Sequence, residues 1–255
     1  MIAPTAFAGL FALAFVRYAP AVVLPGFSPL RWAPALVRIV LALGLAWLTV
    51  LSLPDSAFAA ASRGTGYWIA ATFSEFGIGM VFGVALMVPQ AALHTAGWAL
   101  DVQAGIGAAT LFNPGSQSDA QSLLGTALML IGTVSFFALD LHLELYRGLV
   151  ASAQALPLGG FGARPDFEGF LGLMGSSFLL ALMVVAPVLL GLFAIDIGVA
   201  YATRSMPQAN VYFLALPLKI LVAMLLLIAA LRFSPVLLMR LYHDAFARVP
   251  AMLGG

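Results

Sequence analysis

From Gly169 to Ile195 the chain carries no charged residue, and Met1–Val16, Ile39–Pro54, Phe76–Leu100 and Ala120–Leu139 are charge-free or nearly so. A last apolar run is divided by Lys219. These runs restrict the fold more than any other feature, because roughly 20 apolar residues make a helix that crosses a bilayer core. Lipid offers no hydrogen-bond partners, so a spanning segment must satisfy its own backbone, as a helix does. About five or six hydrophobic helices and an all-α integral membrane protein are therefore predicted. Composition agrees: 8% of residues are charged, against about 25% in a soluble domain.

Proline interrupts the runs. Pro20, Pro25, Pro29, Pro34, Pro89, Pro187, Pro207, Pro217 and Pro235 each remove a backbone donor and kink or end a helix, so kinked helical hairpins are expected. Gly77, Gly79 and Gly83 are spaced to bring one helix face close to a neighbour. Met1–Val16 lacks the basic start and small-residue cleavage site of a secretory signal and reads as a retained first membrane segment. Ser52–Tyr67 and Asp101–Gln121 read as polar loops, the second too turn-rich to lie against lipid. Pro157–Glu168 reads as the most water-exposed connection. Arg232, Arg240 and Arg248 after the final run favour a cytoplasmic C-terminus.

Several classes of function are argued against. With a net charge of +1 and no basic block, nucleic acid is not expected as a partner. The chain has no cysteine, hence neither disulfide framework nor thiolate metal site. His94, His142 and His243 sit in separate segments without metal-ligand spacing, so no metal is expected. Ser116, Ser118 and Ser122 lack a nucleophile elbow, and no phosphate-binding glycine pattern occurs, which leaves no enzyme and no cofactor expected.

Two polar sets remain. Asp140, His142, Glu144 and Arg147 end an apolar run; at helical spacing Asp140 and Glu144 share a face, Arg147 lies within reach of Glu144, and His142 points elsewhere. This reads as a structural ion-pair or membrane-boundary cluster. The second set lies in the island Tyr201–Lys219, which holds the only lysine of the chain. A charge there must snorkel, line water, or pair with Asp196 or a partner's carboxylate. Arg204, Gln208, Asn210 and Lys219, with Pro207 and Pro217, are the candidates for assembly or gating.

The run Arg204-Ser205-Met206-Pro207-Gln208-Ala209-Asn210-Val211-Tyr212, then Leu216-Pro217-Leu218-Lys219, resembles the Arg-x-x-Pro-Gln-x-Asn-Val-Phe and Pro-x-Lys signature of the FliR/SctT family, export-gate proteins of flagellar and virulence type III secretion. In the same order, Pro25-Gly26-Phe27 resembles the family's N-terminal segment, and Glu75-Phe76-Gly77-Ile78-Gly79 its Glu-x-x-x-Gly helix start. Gln103-Ala104-Gly105 through Asn113-Pro114 resembles its Gln-x-Gly to Asp-Pro loop, and Leu156-Pro157-Leu158-Gly159 its Leu-Pro-x-Gly turn. Asn113 stands where many relatives carry aspartate, which removes a charge from the loop. Asp101 before Gln103 is similar to the virulence branch, whereas Phe136–Gly159 is more similar to the flagellar branch, which is favoured.

The resemblance implies a hetero-oligomeric helical pore in the bacterial inner membrane, at the flagellar basal body. FliP-like and FliQ-like subunits would complete it, with FlhB-like and FlhA-like proteins beside it, and unfolded export substrates would pass through. It implies a FliP-like part over residues 1–175, with a plug loop at 105–121, and a FliQ-like hairpin and tail over 176–255. In that plug, Gly105, Gly107 and Gly115 would let the backbone fold tightly. Ile106, Leu111 and Phe112 would fill the lumen, with Asn113 and Pro114 beside them. The alternatives are the SctT subunit of an injectisome and, in another class, an autonomous secondary transporter, whose two related halves are not evident here.

Overall fold

In the computed structural model the described residues are 4–54, 64–106, 122–162, 166–205 and 211–254, without the side chains of 4, 5 and 211–214. The apolar runs become helices. Among the described residues these are α1 (Pro4–Val22), α2 (Ala35–Leu51), α3 (Thr65–Ala104), α4 (Leu123–Ala138), α5 (Leu141–Ala155), α6 (Phe167–Ser205), α7 (Val211–Leu231) and α8 (Pro235–Met252), with no strand.

The hydrophobic helices expected from the runs, several of them too short or broken for a plain spanning bundle, differ in length and continuity. Two helices, α3 and α6, are long and apolar enough to cross a membrane, or up to four spans if the bent pairs α4–α5 and α7–α8 each count as one. The reason is length. With 40 and 39 residues, α3 and α6 each extend about 60 Å, twice a typical hydrocarbon core of about 30 Å. α1 and α2 are shorter apolar helices.

The prolines also act differently at different places. Pro20, Pro89, Pro187 and Pro217 lie inside helices that continue past them. Pro235 opens α8, where a missing N–H costs nothing, and Pro34 precedes α2 as its N-cap. Pro207 lies outside the described residues.

The helices pack into two compact units, each drawn from separated stretches of chain. The first contains Met1–Val88, Phe136–Met174 and Tyr242–Gly255. Its core includes Tyr18, Ile78, Leu86, Phe136, Leu149, Leu173 and Tyr242. α1 and α2 meet through Phe7 edge-on to Trp47, at 5.0 Å between ring centroids, and through a 2.6 Å hydrogen bond between the Tyr18 and Thr49 hydroxyls. The expected close approach on α3 occurs at Gly79, where a Cβ would collide with the Arg17 carbonyl, and at Gly83, against Phe27. Gly77 faces open space.

The second unit contains Pro89–Ser135 and Gly175–Leu241. Leu93, Leu100, Leu128, Val185, Val188 and Leu192 form its centre. Here α3 and α4 touch backbone to backbone, since a Cβ on Gly97 would fall on the Gly125 backbone. Glycine is required there by the close approach itself.

Candidate functional site

Each unit carries a buried polar network. In the first, Arg17 on α1 and Glu75 on α3 are both fully buried and joined by an ion pair at 2.5 Å. The remaining polar atoms of both groups are used. Arg17 donates to Ser152 Oγ at 3.3 Å and to the Leu156 carbonyl at 2.9 Å, while Glu75 accepts from the Gly159 N–H at 2.7 Å. Tyr67 and Ser74 donate to the carbonyls of Gly159 and Gly160. A buried pair with satisfied lone pairs and protons avoids the cost of an isolated internal charge.

This arrangement corrects one expectation and limits another. Glu75 does not start a helix; α3 begins ten residues earlier, at Thr65, because the run from Tyr67 is already helical and apolar. The connection after Pro157 is only partly exposed: Leu158 and Gly159 are buried, since the turn closes over the Arg17–Glu75 pair. The turn itself forms as expected, with Gly160 N–H donating to the Pro157 carbonyl and Gly159 at φ 80°.

In the second unit the polar groups gather around the last turn of α3. Asp101 is 4% exposed. It accepts from the Ser122 hydroxyl at 2.6 Å and from the Leu124 N–H at 3.1 and 3.2 Å. Ser122 in turn accepts from the Gly125 N–H at 2.8 Å, so α4 has a serine N-cap backed by a carboxylate. Gln103 donates to Asp196 Oδ2 at 2.7 Å, and Lys219 pairs with Asp196 Oδ1 at 2.6 Å. The pairing of Lys219 with Asp196 is one of the alternatives its apolar surroundings required.

Of the residues expected in a plug loop, Gly107, Leu111, Phe112, Asn113, Pro114 and Gly115 lie outside the described residues. Gly105 sits at φ 79° and ends α3: its N–H donates to Val102 and the Ile106 N–H to Asp101, the paired bonds of a Schellman cap. Ile106, expected to fill a lumen, instead packs against the second core.

Arg204 is exposed on the last turn of α6, where a cation complements the helix dipole, and Pro217 lies inside α7. Pro207, Gln208 and Asn210 lie outside the described residues.

The cluster at Asp140 departs from the helical reading. Asp140 is not in a helix; it stands between α4 and α5 at φ 56°, a left-handed conformation that aspartate tolerates better than most residues. The break removes the shared face with Glu144. Glu144 pairs instead with His243 of α8 at 2.9 Å, and Arg147 is exposed without an ion pair among the described residues. His142 stacks at a tilt on Phe137, with ring centroids 5.6 Å apart. Among the described residues no three metal-ligating side chains converge.

Arg17 was the residue sequence reading passed over. Its signal was present: one arginine between apolar runs is a charge that needs a partner. Which of ten acidic residues supplied it could not be read.

The chain matches the model of the bacterial export proteins, family 1, over residues 8–245. It belongs to that family. The FliR/SctT resemblance is thus borne out at the level of the family. Among curated relatives, this export protein is 30% identical over 172 residues to a flagellar biosynthetic protein FliR of Bacillus subtilis, 65% of each chain. It is 31% identical over 159 residues to the Yop proteins translocation protein T of Yersinia pestis, 60% of each. To the FliR of Caulobacter vibrioides it is 26% identical over 222 residues, 86% of this chain and 87% of that one. The matches to the Bacillus and Yersinia proteins span less than two thirds of their length. The family is one of bacterial export proteins.

Proposed function

We propose that this chain is a subunit of the flagellar type III protein export apparatus, embedded in the bacterial inner membrane at the basal body. With FliP-like and FliQ-like subunits it forms the channel for unfolded flagellar substrates, with FlhB-like and FlhA-like proteins alongside. The observation that carries this reading is the family match from residue 8 to residue 245. It is supported by apolar surface left uncovered: only 28% of the apolar window of α6 is buried within the chain, so other chains or lipid must cover the remainder. In this reading residues 1–175 are the FliP-like part, 176–255 the FliQ-like hairpin and tail, and the stretch between α3 and α4 supplies the plug. Arg204, Gln208 and Asn210 contact neighbouring subunits.

A virulence-type system is the second reading, favoured by the Yersinia relative, whose 31% identity stands level with the 30% of the Bacillus FliR. Affinity purification of the tagged chain from its native host in mild detergent, followed by mass spectrometry, tests both. Flagellar FliP and FliQ are expected. Their virulence counterparts would move the chain to an injectisome, and a lone monodisperse chain would overturn the export-channel reading in favour of an autonomous transporter.

A further inference from the structure

The last turn of α3 is held on three sides. Successive residues of a helix turn by about 100°, so Asp101 and Gln103 point to different neighbours. Asp101 reaches the first turn of α4, through Ser122 Oγ at 2.6 Å and the Leu124 N–H at 3.1 Å. Gln103 reaches α6, at Asp196. Gly105 seats the end of the helix on α7, where a Cβ would press on Leu216.

Asp196 is the common member. One of its oxygens takes the Gln103 amide and the other the Lys219 ammonium, so a single carboxylate links α3, α6 and α7. The two partners of the ion pair differ in freedom. The Lys219 side chain is 8% exposed and that of Asp196 33%, so the ammonium is the more deeply placed partner and loses its compensation if the carboxylate is neutralised. An uncompensated buried charge is costly, which favours its movement or hydration and loosens the packing of the helices that carry it.

We propose that Asp101 and Asp196 are positioning residues of the export channel: by fixing the end of α3 against α4, α6 and α7, they set the low resting permeability of the assembled complex. The inference rests on the reading of this chain as a channel subunit.

The test uses the full-length chain in its native host, with three readouts: recovery of the complex on native gels, leak of small ions across the inner membrane, and export of substrate. Asp101→Asn and Asp196→Asn are expected to assemble as wild type yet leak several-fold more. In the exchange of Asp196→Lys with Lys219→Asp, the ion pair is restored, and the Gln103 amide can turn its oxygen to the new ammonium. Leak should return towards wild type. Glu168→Gln, at an exposed position, should change nothing.

Assembled Asn variants with wild-type leak would overturn the inference while leaving the channel reading intact. Variants that fail to assemble even with the charges exchanged would also overturn it, reducing both carboxylates to folding roles. A wild-type chain recovered without other channel subunits would remove the underlying reading, and the inference with it.

Discussion

Arg17 and Glu75 illustrate how a charge can be kept inside an apolar unit: Arg17 Nε and Glu75 Oε2 meet each other, and the other polar atoms of the pair meet partners from α5 or from the turn after it. Breaking one side leaves the other charge buried and alone, a loss of about 3–5 kcal/mol. Glu75→Gln should therefore lower the thermal midpoint of the detergent-solubilised chain by many degrees. Arg17→Met combined with Glu75→Leu should recover part of that loss, because no charge is left buried, although the Gly159 N–H and the Leu156 carbonyl lose their partners. A second residue-scale prediction concerns Asp140, whose φ of 56° suits few side chains. Asp140→Val should cost roughly 1–2 kcal/mol of stability, whereas Asp140→Gly should be tolerated, as thermal denaturation of the two variants would show.

At the scale of elements, glycines on one helix separate by their surroundings. Gly77 faces open space, while a Cβ on Gly79 would strike the Arg17 carbonyl. Gly77→Ala should thus stabilise α3 by about 0.5–1 kcal/mol through its helix propensity. Gly79→Ala should destabilise the first unit by forcing α1 away, and paired melting curves would separate the two. The same reasoning explains which parts of the elements were legible. Charge-free runs gave the helices, but the loop expected from Asp101 starts later: α3 runs on to Ala104, with Asp101 satisfied by the first turn of α4. The break at Asp140 was not legible, since the end of the apolar run shows there but a single left-handed residue leaves no mark on side-chain spacing.

For the whole molecule, the balance between inner packing and uncovered apolar surface is decisive. The apolar window of α3 is 61% buried within the chain, that of α6 only 28%. Leu190 on α6 and Ile228 on α7 are among the large exposed apolar residues. Replacing Leu190 with glutamate should leave the internal core intact but, if that face meets lipid near the bilayer centre, cost about 2.5–3.5 kcal/mol on insertion. A lower yield of the chain in the membrane fraction would report it. The sequence alone determined the all-helical class, because apolar runs with so few charges must satisfy their backbone internally. It also carried the family, through motifs kept in order along the chain. The partners of the ionisable groups were decided only by tertiary structure. Arg17 meets Glu75 across 58 positions and Glu144 meets His243 from another helix, and such pairs form because helices distant in sequence pack together, which no local pattern encodes. Where the units divide was decided in the same way: the boundaries fall inside α3, α4, α6 and α8, at places where continuous helices change the neighbours they pack against.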